Sequence, residues 1–521
     1  MTEQSMHWAD QSARRIIKEK GDKKKYVVEA GITPSGTVHI GNFREIITQE
    51  LVQRAIKDLG KDCDFLYVWD DYDVFRKVPK NMPNKELLKT LLRKPITEVP
   101  DTFDCKHSSY ARHNEEPVEN IILKVGIKAI FLYQHEEYKS CKFAEQIKQA
   151  LEKTNEIKVI LDKHRKDPLK EEWLPVSVFC DKCGTDMITK IEYEGDYNLY
   201  YECKCSHKEE FDFRKKGIVK LAWRVDWPMR WYFNKVDFES AGKDHFASGG
   251  SWDTCKGIIK KVWNDKGPEG FMYEWISIKG GKQFSSSSGV VTTLQDVLDV
   301  YEPEIVRYLF ASTRPDAEFA ISFDLDVLKI YEDFDKCERI YYKKEEVEKK
   351  EYDKQKRIYE LSCVDNVSKN MPFQPSFRHL CNVVQIYEND FEKIKESYGV
   401  KDADVERLKK RAECAYNWLG KYALEDMRFH IQEKANIKIE GKEKEACEKL
   451  LNYLNKHDKL DEKLLYEEFY NISKSVELST KEFFKVCYKI LINKERGPRL
   501  APFIVTIGKE RVVNLLAQSV E

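Results

Sequence analysis

Nine residues, Pro34-Ser35-Gly36-Thr37-Val38-His39-Ile40-Gly41-Asn42, limit what this chain can fold into more than any other stretch. The run before them, Tyr26-Val27-Val28-Glu29-Ala30-Gly31, has the composition of a buried strand. The run after them, from about Phe43 to Ala55, has the apolar spacing of an amphipathic helix. A strand that turns through Pro and Gly into a helix presents free N–H groups and the positive end of the helix dipole. Gly36 and Gly41 let a ligand approach the backbone. His39 and Asn42 set side-chain donors beside the same N–H groups. The segment predicts a phosphate site.

A second apolar run, Asp64 to Trp69, ends in Asp70-Asp71-Tyr72-Asp73. Acids at a strand's carboxyl end fit the ligand crevice of an open parallel sheet. Residues 1–90 therefore read as the first half of an α/β domain. The βα rhythm breaks over 91–217, which reads as an insertion. It resumes with Val219–Val225 and Phe271–Ile276, completing the domain over 218–290. Beyond about 290 the pattern is helical. Tyr341 to Arg357 is almost wholly charged and predicts a solvated helix or connector. Phe377, Leu380, Val384, Tyr387, Phe391 and Ile394 mark one helix face, and Val405 through Tyr422 another. Ser479-Thr480-Lys481-Glu482 predicts a capping box.

Composition narrows the function classes. The 521 residues carry a net charge of −1, so any nucleic-acid surface must be a local patch. No apolar run approaches the ~20 residues that span a bilayer. Met1 to Arg15 lacks the apolar core of an export signal. With 14 cysteines, a cytoplasmic location and metal ligation are expected rather than disulfides. Cys180-x2-Cys183 and, nineteen residues on, Cys203-x-Cys205-x-His207 have the spacing of a tetrahedral zinc site. Cys180, Cys183 and Cys203 supply three ligands; Cys205 or His207 supplies the fourth. Asp101, Cys105, His107 and His113 are a second, looser group of zinc-compatible side chains.

Two further stretches carry donors. Gly242-Lys243-Asp244-His245 through Ser251 places an acid among glycines, where a carboxylate can hold vicinal ribose hydroxyls. A helix-capping role for Asp244 is the alternative. Lys279-Gly280-Gly281-Lys282-Gln283-Phe284-Ser285-Ser286-Ser287-Ser288-Gly289 is a loop of hydroxyl and N–H donors with two lysines, suited to a polyphosphate.

These residues are similar to two signatures of class I aminoacyl-tRNA synthetases. The 34–42 turn resembles the HIGH signature, with Asn42 in the fourth place. The 279–289 loop resembles KMSKS, with Gln283 at the first lysine and Ser286 at the second. Gly31–Gly36, Asn42–Glu45, Trp69–Asp73, Trp223–Pro228, Gly242–His245, Gly497–Phe503 and Gly508–Glu510 together resemble archaeal-type class I lysyl-tRNA synthetases. The resemblance runs essentially the full length. It implies a Rossmann-type parallel-sheet catalytic domain over 1–90 and 218–290 and a zinc-bearing insertion over 91–217. A stem-contact segment over 291–357 and an all-α anticodon-binding domain over 358–521 would follow. It also implies that the 101–113 group is a zinc site, with Lys106 an extra residue.

The implied reaction joins lysine to ATP, with Mg²⁺, and transfers lysine to tRNA(Lys). The implied catalytic residues are His39, Asn42, Lys282, Ser285 and Ser287. ATP would meet Pro34, Ser35, Gly36, His39, Gly41, Asn42, Asp244, Phe284 and Ser286. Lysine would meet Gly31, Thr33, Trp223, His245 and Tyr273. An arginyl or glutamyl enzyme, a non-catalytic tRNA-binding relative and a small-molecule nucleotidyltransferase are the rival readings.

Overall fold

The computed structural model describes residues 7–79, 82–280 and 291–521. They divide into two compact units. The first is Met1–Val297, Pro303–Ile321 and Glu346–Val367; the second is Leu298–Glu302, Ser322–Glu345 and Ser368–Glu521.

The first unit is built on a parallel sheet. β1 (Lys25–Ile32), β2 (Asp62–Trp69) and β3 (Ile130–Tyr133) lie in the order β1-β2-β3, with Ala30 opposite Tyr67 and Leu66 opposite Ile130. Tyr26, Val28, Ala30 and Val68 are buried, as expected of strands covered on both faces. Helix Ile40–Asp58 links β1 to β2. β3 lies inside the span read as an insertion. Within that span, β4 (Val176–Val178) pairs antiparallel with β8 (Val219–Leu221). β5 (Ile188–Gly195), β6 (Asn198–Cys203) and β7 (Lys208–Asp212) form a separate antiparallel sheet.

The sheet resumes later than expected. Val219–Leu221 joins β4 rather than the parallel sheet, and Trp223 already begins helix Trp223–Phe233. Val225, Asp226, Trp227, Pro228, Met229, Arg230 and Trp231 are all buried. A helix buried on every side loses its 3.6-residue signal and reads as a strand. The parallel sheet continues instead through Phe238, which bridges Val28 and Glu269. β9 (Ala241–Gly242) then pairs parallel with β10 (Met272–Tyr273), and β11 (Ile276–Ile278) with β12 (Phe319–Ile321). Buried Arg307 ties this unit together: it donates to Glu50 at 2.7 Å and to the carbonyls of Val125 and Leu361. Arg357, in the charged 341–357 run, is not simply solvated; it pairs with Asp10 and Asp58 at 2.7 and 2.8 Å.

The second unit is helical. Phe377 to Ile394 is two helices rather than one, Phe377–Ile386 and Phe391–Tyr398. Glu388 and Asn389 take positive φ, and the Asp390 side chain caps the second helix by accepting from Lys393 N–H. The apolar spacing continues through the break, with Phe377, Leu380 and Val384 buried before it and Ile394 after it. Helix Asp402–Lys421 and the Ser479/Glu482 capping box match expectation. Fully buried Arg411 bonds Glu302 at 2.6 Å and Asp335 at 2.9 Å, an ion cluster in which losing one partner would strand a buried charge. Among the described residues, no helix is long and apolar enough to cross a membrane.

Candidate active site

A cavity of 560 Å³ opens where β1, β2, β9 and β10 end. This is the crevice expected of an open parallel sheet. Gly31, Thr33, His39, Gly41, Asn42, Trp223, Asp244, His245 and Tyr273 all line it. Most of the residues anticipated for two ligands thus share one space. Pro34, Ser35 and Gly36 do not line it. They shape the turn: the Ser35 N–H donates to the Thr33 carbonyl at 2.8 Å, and Tyr110 Oη donates to the Ser35 carbonyl at 2.7 Å. Lys282, Phe284, Ser285, Ser286 and Ser287 lie outside the described residues.

The signature turn closes on itself. His39 is the N-cap of helix Ile40–Asp58, and Asn42 Oδ1 accepts from the His39 N–H at 3.2 Å. One end of the Asn42 amide is therefore engaged in capping rather than aimed wholly at a ligand. Burial lowers the His39 pKa, which keeps the imidazole neutral. No acid occupies the first helical turn, so the dipole's positive end is uncompensated there. Asp244 sits on the short helical turn Lys243–Phe246 and makes no capping bond. That disfavours the helix-cap alternative.

The wall beneath the turn is acidic and aromatic. A Cβ on Gly31 would lie 2.8 Å from the Val68 carbonyl oxygen, so only glycine fits against β2. The Gly31 N–H donates to Glu45 Oε1 at 3.2 Å, and Tyr273 Oη donates to Glu45 Oε2 at 3.2 Å. Burial pushes the Glu45 pKa up to about 7 against these two bonds. Glu239, 3% exposed, accepts from the Trp227 indole at 3.0 Å and from the Trp231 indole. Its pKa is raised well above the carboxylate range, chiefly by burial. Trp223 is 47% exposed at the mouth, stacked on Trp227 and edge-on to His245. His245 Nδ1 lies 2.7 Å from Ser251 Oγ, and burial lowers its pKa. Asp70 accepts from buried Lys220, and Asp226 pairs with Arg230 at 3.2 Å.

Sequence reasoning assigned no role to Glu45, Glu239 or Arg44. Arg44, 3% exposed, donates to the carbonyls of Arg314, Pro315 and Ala317 and so anchors the 314–317 segment to the signature helix. The signal for Arg44 and Glu45 was their place two and three residues after Asn42, charged residues in a helix whose neighbours are apolar. Glu239 carried none, since its two indole partners are distant in sequence.

A profile described as "tRNA synthetases class I (K)" matches residues 6–365. The chain belongs to this family. It is 49% identical over 519 residues to a lysine–tRNA ligase of Borreliella burgdorferi, covering 99% of each chain. It is 44% identical over 524 residues to one of Treponema pallidum, again covering 99% of each. The match to one of Thermococcus kodakarensis is 43% over 526 residues, 98% of this chain and 99% of that one.

Two groups in this family member gather metal-compatible side chains. Cys180, Cys183, Cys203 and Cys205 bring their four sulfurs within 4.8 Å of one another. Cys180 Sγ lies 3.7 Å from Cys205 Sγ, and Cys183 Sγ lies 3.6 Å from Cys203 Sγ. His207 stands outside the group and meets Glu209 at 3.4 Å. Ser206 takes φ 67° in the turn that follows Cys205, where its N–H donates to the Cys203 carbonyl at 2.9 Å. Asp101, Cys105, His107 and His113 also place one ligand atom each within 4.8 Å. Cys105 Sγ is 3.0 Å from both Asp101 Oδ2 and His113 Nδ1, and Lys106 takes φ 61° to fit the turn.

Proposed function

We propose that this protein is a lysine–tRNA ligase. The lysine carboxylate attacks the α-phosphorus of ATP, forming lysyl-adenylate as the bond to pyrophosphate breaks. A ribose hydroxyl at the 3′ end of tRNA(Lys) then takes the lysyl group and AMP leaves. The observation that carries this reading is the acid in the wall. Glu45 is held by Gly31 and Tyr273 beside buried Glu239. An ammonium group at the end of an apolar stem fits there: aromatic rings cover the methylenes and the carboxylate takes the charge. Among the described residues, the one buried cation lining the cavity, Arg230, is already paired with Asp226, so a glutamate side chain finds no free partner there, which disfavours that rival.

In this reading His39, Asn42 and the N–H groups around Gly41 receive ATP phosphates, and Asp244 the ribose. Pro34, Ser35 and Gly36 shape the turn from behind. Lys282, Ser285 and Ser287, with Phe284 and Ser286, border the departing pyrophosphate. Thr33, Trp223 and His245 frame lysine. No protein nucleophile is needed; positioning and electrostatic stabilisation suffice. Mg²⁺ would neutralise ATP charge. Zn²⁺ would sit on Cys180, Cys183, Cys203 and Cys205, a closed tetrahedral set that acts on folding rather than chemistry. The mixed Asp101–His113 set suits a second zinc. The helical second unit would read the anticodon.

ATP–pyrophosphate exchange with each of the twenty amino acids tests the assignment. Lysine is expected to stimulate exchange. Stimulation by arginine or glutamate in its place would contradict it. Elemental analysis of protein purified without chelator is expected to find zinc, and its absence would remove the four-cysteine assignment.

A further inference from the structure

Ser251 has no part in the reaction as written above, yet the chain is folded so as to set it against a cavity residue. Gly249 takes φ 70°, and the Gly250 N–H donates to the Ala247 carbonyl at 2.6 Å. A Cβ on Gly250 would lie 2.6 Å from the carbonyl oxygens of both His245 and Ala247. Glycine at 250 therefore lets the chain double back closely after the helical turn Lys243–Phe246. Gly250 is the N-cap of helix Ser251–Trp263, and Ser251, the first residue of that helix, meets His245. Thr254 Oγ1 bonds the carbonyls of Gly250 and Ser251 at 3.1 and 3.0 Å, which pins the first turn.

The protons at this contact follow from counting. His245 Nδ1 and Ser251 Oγ are 2.7 Å apart, and Ser251 is 5% exposed. A hydroxyl carries one proton and needs an acceptor for it. Among the described residues the Ser251 hydroxyl meets no acceptor other than His245 Nδ1. Were the ring proton on Nδ1, a buried hydroxyl proton would be left without a partner, which is unfavourable. The favoured arrangement has Ser251 donating to Nδ1 and the ring proton on Nε2. Burial, helped by the Arg224 charge and opposed by Asp244, lowers the imidazole's pKa, so the ring is neutral and carries that one proton.

The other edge of the ring is left for the reactants. His245 lines the cavity, and among the described residues its Nε2 meets no hydrogen-bond partner. Asp244, one residue earlier, is the acid proposed for the ribose. Trp223 and Trp227, edge-on to the imidazole at 6.3 and 5.3 Å, belong to the aromatic wall proposed for the lysine stem. A donor between ribose and stem stands where the lysyl carboxyl group joins the α-phosphate. A neutral N–H suits that group. An imidazolium would form a stronger, charge-assisted bond and blunt the carboxylate that has to attack.

We propose that Ser251 is a positioning residue that fixes His245 in its Nε2–H form, and that this N–H donates to the lysyl carboxyl oxygen that does not bond to phosphorus. In the transfer step the ribose oxygen attacks the lysyl carbonyl carbon, and the carbonyl electron pair moves onto that oxygen. The pair returns as the carbon–oxygen bond to AMP breaks. AMP leaves with the electrons of that bond, and the ribose hydroxyl proton passes to its phosphate. Negative charge on the held oxygen is greatest between these events, so the donor acts most strongly there. The proposal rests on the reading of the chain as a lysine–tRNA ligase and adds a residue to that same site.

The test uses full-length protein labelled with ¹⁵N-histidine, as the parent and as Ser251→Ala, with His245→Ala to assign the His245 signals by their loss. The nitrogen shifts should report the Nε2–H form of His245 in the parent and a mixture of the two neutral forms in Ser251→Ala. Transfer from preformed lysyl-adenylate to a tRNA(Lys) transcript, followed in a single turnover, should slow about tenfold in Ser251→Ala, the scale of one weakened hydrogen bond. Lysine-dependent pyrophosphate exchange should fall by a smaller factor than transfer. An Nδ1–H form of His245 in the parent protein would overturn the proposal, and this readout needs no variant of Ser251 to fold. So would an unchanged ring form in Ser251→Ala, or exchange and transfer falling by the same factor. If lysine stimulates no exchange in the parent protein, the ligase reading fails; the ring form in the parent and its change in Ser251→Ala then decide the Ser251 contact by themselves.

Discussion

In the first unit the charged groups of the cavity are mostly carboxylates set into the wall, with the buried cation Arg230 paired to Asp226, and with Glu45 and Glu239 withdrawn from water and bonded to Tyr273, Trp227 and Trp231. In the second unit a cavity has cations at its lip, Arg378, Lys494, Arg496 and Arg499, beside the acids Asp426 and Glu462, and buried carbon from Ile386, Phe429, Ile492 and Phe503 beneath. Burial makes the first site stringent. A carboxyl kept half-protonated near neutral pH costs free energy to ionise until a cation arrives, so it discriminates by charge. Exposure makes the second site permissive. Its cations stay solvated, gain strength by number and weaken with salt. On the proposed function, a small substrate and a long polymer would be recognised by opposite arrangements.

Predictions that break or sharpen this contrast begin at the signature turn. His39→Ala should slow adenylate formation about 10²- to 10³-fold while leaving lysine and tRNA affinity near the parent values, since its effect grows with transition-state charge. Stopped-flow measurement of adenylate formation reads it, and an unchanged rate would remove His39 from the phosphates.

Next is Lys282→Ala, expected to lower the same rate by about 10²-fold, against a small effect of Gln283→Ala. Equal, small effects would move the charge to another residue. A large effect from Gln283→Ala alone would shift the register of the loop by one.

Glu45→Gln should weaken lysine binding about 10- to 100-fold, the scale of a lost charge-assisted hydrogen bond. It should also flatten the pH dependence. In the folded protein Glu45 titrates at about 7, above the 4.5 of an ordinary glutamate, so the native state holds a proton that the unfolded chain has released. Its contribution to stability therefore falls as pH rises from 4.5 to 7, and lysine affinity rises over the same window. Urea midpoints of parent and Glu45→Gln across that range check the first part, and lysine titrations the second. The smallest effect is on salt. Arg499→Ala should reduce the slope of log affinity for tRNA against log salt by about 0.7, one single-strand phosphate contact. An unchanged slope would take Arg499 off the backbone.

Much of this contrast was legible in the residues. The strand, turn and helix around His39, the cysteine hooks and the helical last third follow local rules of spacing and capping. What was not legible depended on burial. Val219–Val225 read as one strand although a helix begins at Trp223, because Val225–Trp231 are buried without a break and carry no helical period. The break at Glu388–Asn389 was hidden because the apolar rhythm runs through it. Spacing alone did not separate Cys205 from His207; the fold gathers Cys205 with the other three cysteines and leaves His207 against Glu209. Glu239 lines the cavity with two indoles donating to it, Trp227 and Trp231, and no local pattern marks that meeting.

The most direct test of the acid wall is calorimetric titration of lysine into the protein at pH 7, in two buffers of different ionisation heat. With a pKa of about 7, Glu45 is roughly half protonated before lysine binds and ionised after. The parent protein should release about half a proton more per lysine bound than Glu45→Gln does. Equal proton release from the two proteins would contradict the assignment of Glu45 as the partner of the lysine ammonium.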